Sequence, residues 1–239
     1  MRAYQLLKGA SRCLPPGLEA RLRTRVREFR TSNERRKTAN WRQDMLLAPR
    51  LPDYSIGPHT TGYPEVRRNL GHRGDGNLTI GDYCSIADGV TILPGNEHGT
   101  DWLTTYPFSV LWPEGESLEC HPQTKGDVTI GNDVWIGTNS LVLSGTDIGD
   151  GAVIGAGSVV RGRIPPYAIA VGSPCRTVMY RFKPDDIAAL LAVRWWDWPE
   201  DVVAQALPIL LSDDVGGIMD FARRHSLLTA EPEEQPLTT

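Results

Sequence analysis

Residues 128–172 read VTIGNDVWIGTNSLVLSGTDIGDGAVIGAGSVVRGRIPPYAIAVG, and most of the architecture follows from their spacing. Counted in sixes from Ile130, every step lands on an aliphatic side chain: Ile130, Ile136, Val142, Ile148, Ile154 and Val160. The next position is glycine at Gly131, Gly137, Gly149 and Gly155, with Leu143 and Arg161 in the other two hexads. Four places after each aliphatic come Val134, Ser140, Thr146, Ala152, Ser158 and Ile164, all small or β-branched. A fixed period of six is the mark of a parallel β-helix. Each hexad then makes one short strand and a turn, three hexads close a triangular coil, and the aliphatic side chain points into the prism. Glycine is expected where the backbone turns with positive φ. Ordinary period-2 alternation also fits a multiple of two, but it does not explain glycine at every sixth residue.

Working outward, Tyr54-Ser-Ile-Gly57 opens a first coil, and residues 58–77, rich in Gly, Pro and His, read as an excursion or irregular coil. Regular hexads resume at Ile80-Gly81, Ile86-Ala87 and Ile92-Leu93, then stop. From Gly95 to Asp127 the repeat is lost, and the segment carries Trp102, Tyr106-Pro-Phe108, Trp112-Pro113 and Pro122. A long loop inside a regular solenoid is usually functional or disordered, and its aromatics argue for order. The expectation is an ordered loop over 95–127 that projects from the prism and packs on something.

Pro165-Pro166 reads as the end of the regular hexads. Ile187, Leu190, Leu191 and Val193 then suit an amphipathic helix over 184–198, with Asp185-Asp186 at its positive end. Further helices are expected over 199–210 and 214–224. Trp195-Trp-Asp-Trp198 is expected to clamp the helical segment onto the prism. The domain plan is an N-terminal helical extension (1–50), a β-helix (51–178), C-terminal helices (179–230) and a flexible tail (231–239).

The bulk numbers suit a protein of this plan: 239 residues, 23% charged, 40% hydrophobic, mean hydropathy −0.29. No apolar run has the length of a membrane span, and the N-terminus lacks a signal-peptide pattern, so a cytoplasmic protein is expected. Cys13, Cys84, Cys120 and Cys175 are scattered, which reads as reduced thiols rather than a metal site or disulfide framework. The net charge of −4 is asymmetric, since residues 1–50 hold 13 Lys or Arg against 4 acidic residues. Leu18, Leu22, Val26 and Phe29 mark an apolar helix face opposite Arg21, Arg23, Arg25 and Arg27. The favoured reading is a helix on the edge of an oligomer. The alternative is weak peripheral contact of residues 1–45 with an anionic membrane surface.

Ile130-Gly-Asn-Asp-Val-Trp-Ile-Gly137, with Ile154-Gly-Ala-Gly-Ser158 and Gly172-Ser-Pro-Cys-Arg176, resembles the hexapeptide acyltransferases. Gly81-Asp-Tyr-Cys-Ser-Ile-Ala87, His98 ahead of Tyr106-Pro-Phe108, Phe182 and Trp195-Trp-Asp-Trp198 narrow the likeness to the xenobiotic acetyltransferase branch. The resemblance covers roughly residues 54–210. It implies a mainly β fold, a left-handed parallel β-helix, assembled as a homotrimer with acetyl-CoA bound between subunits as co-substrate. The implied reaction moves acetyl to an acceptor hydroxyl of a glycan, natural product or antibiotic. The hydroxyl must lose its proton as it attacks the thioester, which calls for a base titrating near neutral pH. His98 matches the family's catalytic histidine. Trp135, Thr138 and Ala156 would meet the pantetheine arm, and Arg161 and Arg176 the nucleotide and its phosphates. Tyr54, Trp102, Tyr106 and Phe108 are the candidates for acceptor contact. No metal is expected, since the histidines His59, His72, His98, His121 and His225 include no close pair, and no nucleic-acid partner is expected either. The alternatives are N-acetylation of a nucleotide-linked amino sugar and a non-enzymatic trimeric scaffold.

Overall fold

A strand of two or three residues cannot hold itself together, so each must gain its hydrogen bonds from the coil above and below. The computed structural model, which describes residues 41–68, 75–118 and 123–228, shows this stacking in three parallel sheets. Sheet I stacks β1 (Ser55–Ile56), β4 (Leu78–Ile80), β7 (Val128–Ile130), β10 (Asp147–Ile148) and β13 (Arg163–Ile164). Sheet II stacks β2 (Thr61–Gly62), β5 (Ser85–Ile86), β8 (Trp135–Ile136), β11 (Val153–Ile154) and β14 (Ala168–Val171). Sheet III stacks β3 (Glu65–Val66), β6 (Thr91–Ile92), β9 (Leu141–Val142) and β12 (Val159–Val160). The register keeps like residues in line, as in Ile80↔Ile130, Ile130↔Ile148 and Ile86↔Ile136. The fold is a parallel β-helix with helical segments.

The expected inward residues are inside. Ile80, Ile92, Ile130, Ile136, Val142, Ile148, Ile154 and Val160 are all buried and belong to one core. The small residues four places on are buried too, at the prism corners, and their hydroxyls satisfy corner carbonyls. Ser140 Oγ donates to Gly137 O at 2.8 Å, Thr146 Oγ1 to Leu143 O at 2.6 Å and Ser158 Oγ to Gly155 O at 2.6 Å. A buried hydroxyl without such a partner would cost stability, so the repeat selects a small hydrogen-bonding side chain there.

The recurring glycines have a different cause from the one expected. Gly131, Gly137, Gly149 and Gly155 are not among the positive-φ residues. They are required because the next coil lies too close: a Cβ on Gly137 would stand 2.6 Å from Ala156 N, and one on Gly131 2.8 Å from Asp150 N. The left-handed backbone falls two residues later, at Asp133 (φ 54), Asn139 (φ 58), Gly151 (φ 68) and Gly157 (φ 69).

One other expectation is corrected. Residues 58–68 are no excursion, because β2 and β3 complete a first coil whose corner holds the buried Thr60. Pro165-Pro166 does end the regular spacing, since Val153 stacks three full hexads after Trp135 but Ile169 stacks two residues short of that after Val153, yet β14 still continues sheet II on β11. The chain then turns back, and β15 (Arg176–Tyr180) pairs antiparallel with β14. The loop, by contrast, leaves where the hexads stop and returns at an isolated antiparallel bridge between Glu97 and Gln123.

Residues 41–45 belong to the first of two compact units and hold one helical turn, α1 (Trp41–Asp44). From Leu46 onward the chain belongs to the second unit, where Leu47 is buried in the prism core and its N–H donates to Thr60 O at 2.8 Å. The basic helical face at Leu18–Phe29, Cys13, Cys120, His72, His121 and the tail 231–239 lie outside the described residues. Cys84 and Cys175 are buried free thiols, and burial pushes the Cys84 thiol up to about 11. No helix among the described residues is long and apolar enough to cross a membrane.

The loop carries α2 (Phe108–Leu111), and the C-terminal part carries α3 (Pro184–Val193), α4 (Glu200–Leu210) and α5 (Val215–Arg224). Proline at the first turn and Asp185-Asp186 favour the start of α3, and Arg194 ends it in a left-handed conformation (φ 43). The three helices share a core of Leu190, Val193, Val203, Ala206, Ile218 and Phe221 with Tyr167 from the prism. The tryptophans divide their work. Trp195 packs on Tyr83 of the second coil (4.7 Å between centroids), whereas Trp198 stacks on Phe221 within the helices (5.6 Å).

Candidate active site

The root of the loop is where chemistry-bearing side chains collect. After β6 of sheet III, the chain leaves the corner between sheets III and I at Pro94. Glu97 then exchanges both backbone hydrogen bonds with Gln123, at 2.9 and 2.7 Å, which closes the loop as a paired neck. His98 follows, exposed, with its ring fixed from inside the loop: Nδ1 lies 2.6 Å from the carbonyl oxygen of Thr105. A carbonyl can only accept, so Nδ1 carries the proton. In the neutral imidazole the lone pair then sits on Nε2, the nitrogen a base would use. The tautomer is set by this backbone carbonyl and not by the neighbouring Glu97.

Glu97 is engaged elsewhere. Its Oε1 accepts from Arg161 Nη2 at 2.9 Å and from Ser144 Oγ at 3.2 Å, and Oε2 lies 3.5 Å from Lys125 Nζ. Arg161, grouped by sequence with the nucleotide-contacting residues, therefore sits at the III–I corner paired to the residue next to His98. Tyr54 lies at the same corner on the first coil, before β1, where its hydroxyl accepts from Arg68 Nε at 2.5 Å. The Arg68 guanidinium also stands 4.5 Å over the Tyr54 ring.

The remaining donor-side candidates lie along the opposite edge of sheet III. Trp135 projects from the outer face of sheet II, 55% exposed. Thr138 and Ala156 occupy the II–III corner on successive coils, both exposed, with Thr138 Oγ1 donating to Asp88 O at 2.5 Å. The space beside Ala156 is open, because a Cβ on its neighbour Gly157 would meet nothing within 4 Å. Arg176 starts β15 above this edge, its Nη1 donating to Cys175 O at 2.9 Å. About five residues of extended chain, roughly 15 Å, separate this corner from the one that bears His98. Within one chain the structure thus brings His98 and Arg161 together, and leaves Trp135, Thr138, Ala156 and Arg176 on the far edge.

The acceptor candidates are accessible. Trp102, Tyr106 and Phe108 are 39%, 46% and 40% exposed, with Trp112 at 52%. Tyr106, Phe108 and Trp112 form an edge-to-face chain with centroids 4.8 and 5.5 Å apart. Such a chain leaves ring faces and edges for a ligand while each ring holds its neighbour. Sequence reasoning missed Lys125, Ser144 and the pairing of Glu97 with Arg161. Contacts spanning 47 and 64 residues leave no local signal in a sequence read alone.

Comparison with known proteins bears on the family. Residues 127–162 match the family model described as bacterial transferase hexapeptide (six repeats). A chloramphenicol acetyltransferase from Agrobacterium fabrum is 40% identical over 187 residues, covering 76% of this chain and 90% of that protein. A chloramphenicol acetyltransferase from Morganella morganii is 38% identical, covering 71% and 84%. A probable macrolide acetyltransferase from Lysinibacillus sphaericus is 37% identical, covering 69% and 92%.

Proposed function

The chain belongs to the hexapeptide-repeat acetyltransferases, in the branch with the chloramphenicol and macrolide acetyltransferases, and from that membership we propose that it transfers acetyl from acetyl-CoA to an acceptor hydroxyl with His98 as general base. The observation that carries the reading is the hydrogen bond from His98 Nδ1 to the Thr105 carbonyl, which leaves Nε2 as the basic nitrogen at the mouth of an aromatic loop. The acceptor oxygen attacks the thioester carbonyl as Nε2 takes its proton. The tetrahedral intermediate collapses, the C–S bond breaks, and the CoA sulfur leaves with that proton. No acyl-enzyme is needed, because both reactants are held at once.

The donor would lie along the II–III edge, its pantetheine beside Trp135 and over Thr138 and Ala156, with Arg176 toward the phosphates. Those residues and His98 occupy different edges of sheet III, so a complete site takes His98 from one chain and the donor edge from another. That favours a closed homotrimer, in which each copy gives one edge to each neighbour. The acceptor stacks on Trp102, Tyr106 and Phe108, with Tyr54 and Arg68 at the corner below. A hydroxyl-bearing antibiotic, natural product or glycan fits such rings.

The hydroxyl acceptor is tested with acetyl-CoA labelled in the acetyl group and matched pairs of acceptors. One member of each pair has its hydroxyl free and the other has it methylated. The expected product is a labelled ester from the free hydroxyl and none from the methyl ether. A labelled amide formed on amino acceptors in preference to any ester would favour N-acetylation instead.

A further inference from the structure

We infer that Glu97 is a positioning residue for His98: its carboxylate fastens the neck of the loop to two coils of the prism, and so fixes where the imidazole stands. The inference rests on the reading of His98 as the base.

The loop leaves from the second coil, whereas the groups that hold Glu97 come from farther along the axis. Ser144 is at the corner of the third coil and Arg161 at that of the fourth, and their contacts at 3.2 and 2.9 Å converge on one carboxylate oxygen. Lys125, on the returning strand of the neck, reaches the other oxygen at 3.5 Å. Spanning two coil spacings takes about 10 Å, a distance that a glutamate and an arginine bridge together. The backbone of the same residue is paired both ways with Gln123. Residue 97 is therefore fixed by its main chain to the returning strand and by its side chain to the prism, and residue 98 inherits that placement. The Thr105 carbonyl sets the rotation of the ring; Glu97 sets the position of its root.

A specific balance of effects follows. The Glu97 side chain is 22% exposed and its cationic partners about half exposed. Ion pairs at that depth add little to stability, so removing the carboxylate should leave the fold intact. A base displaced by about 1 Å, however, loses rate on the order of 10²-fold. The same geometry assigns Arg161 to the carboxylate rather than to a donor phosphate.

The test compares Glu97→Ala, Glu97→Gln, Arg161→Ala, His98→Ala and the double variant lacking both Glu97 and His98 side chains. Glu97→Ala and Glu97→Gln should lower kcat on the order of 10²-fold, with KM for acetyl-CoA and the melting temperature unchanged. Arg161→Ala should do the same, and Glu97→Asp should recover part of the rate. The double variant should be no slower than His98→Ala, because a positioning residue has nothing left to position. Full kcat in both Glu97 variants would overturn the inference. So would an additive loss in the double variant, or a raised KM for acetyl-CoA with normal kcat in Arg161→Ala. If Glu97→Ala unfolds, Glu97→Gln and Arg161→Ala decide on the same criteria. A His98→Ala enzyme that retains its rate would instead show that the reading of the base has failed, and the inference falls with it.

Discussion

His98→Ala should slow acetyl transfer by roughly 10²–10⁴-fold, the usual contribution of a positioned general base, with little change in affinity for CoA. The rate falls because the attacking hydroxyl must shed its proton as the C–O bond forms, and water is a poor and disordered substitute. CoA affinity is spared because the proposed donor groove is lined by Trp135, Thr138 and Ala156 on the other edge of sheet III. Steady-state kinetics for the rate and calorimetry for CoA binding read the two effects separately. The fold should not respond, since His98 is exposed and its ring bonds a loop carbonyl rather than the prism core. Transfer within tenfold of the unmodified enzyme would mean that another group takes the proton.

The second large effect concerns the loop. Replacing residues 107–121 with a short glycine linker removes Phe108 and Trp112, but keeps Thr105 and the Glu97–Gln123 neck. The imidazole should then keep its orientation while the acceptor loses Phe108 and the adjoining Trp112 from its stacking surface and keeps Trp102 and Tyr106. Two lost ring contacts at about 1 kcal/mol or more each predict a fall in kcat/KM of about 30-fold or more. CoA affinity and oligomeric mass should be unchanged, because none of the donor-side candidates lies in the loop. Unchanged kcat/KM and acceptor preference would place acceptor recognition elsewhere. Unfolding would show the aromatics to be core, against their exposure of 40% and 52%.

The repeat, the departure of the loop and the C-terminal helices were legible because each is written in local spacing. Ile130 to Val160 at intervals of six could hardly form anything else, and α4 and α5 fall where their period places them, whereas α3 stops at Val193, short of the expected 198, because Arg194 turns left-handed. What misled was reasoning from residue type to cause. Glycine at Gly131 and Gly137 suggested a turn, yet it reflects how closely the next coil approaches, an interaction 18 or more residues away. Residues 58–68 lack strong hexads because Gly62 stands at an inward position of β2, where a Cβ would collide with the Ile86 carbonyl oxygen. Pro165-Pro166 does end the period of six, but the stacking continues past it, because both prolines sit at a corner, where no ladder N–H is lost.

At the candidate site, sequence pointed to His98 and to the aromatics, whose types suit the proposed chemistry. It could not pair Arg161 with Glu97 or separate the two edges of sheet III, since both follow from coil stacking alone. That separation makes the claim most open to test: the site is composite, with His98 from one chain and the donor edge from another. Two inactive variants should be mixed during refolding, His98→Ala and Ala156→Arg, the second filling the donor groove. If the site is shared between chains, sites with His98 from one variant and Ala156 from the other are intact, about a quarter of the total for random closed trimers. Acetyl transfer should therefore return to about that fraction of the unmodified rate, although each variant alone is inactive. A mixture as inactive as its components would contradict the composite site, placing His98 and its donor groove in a single chain.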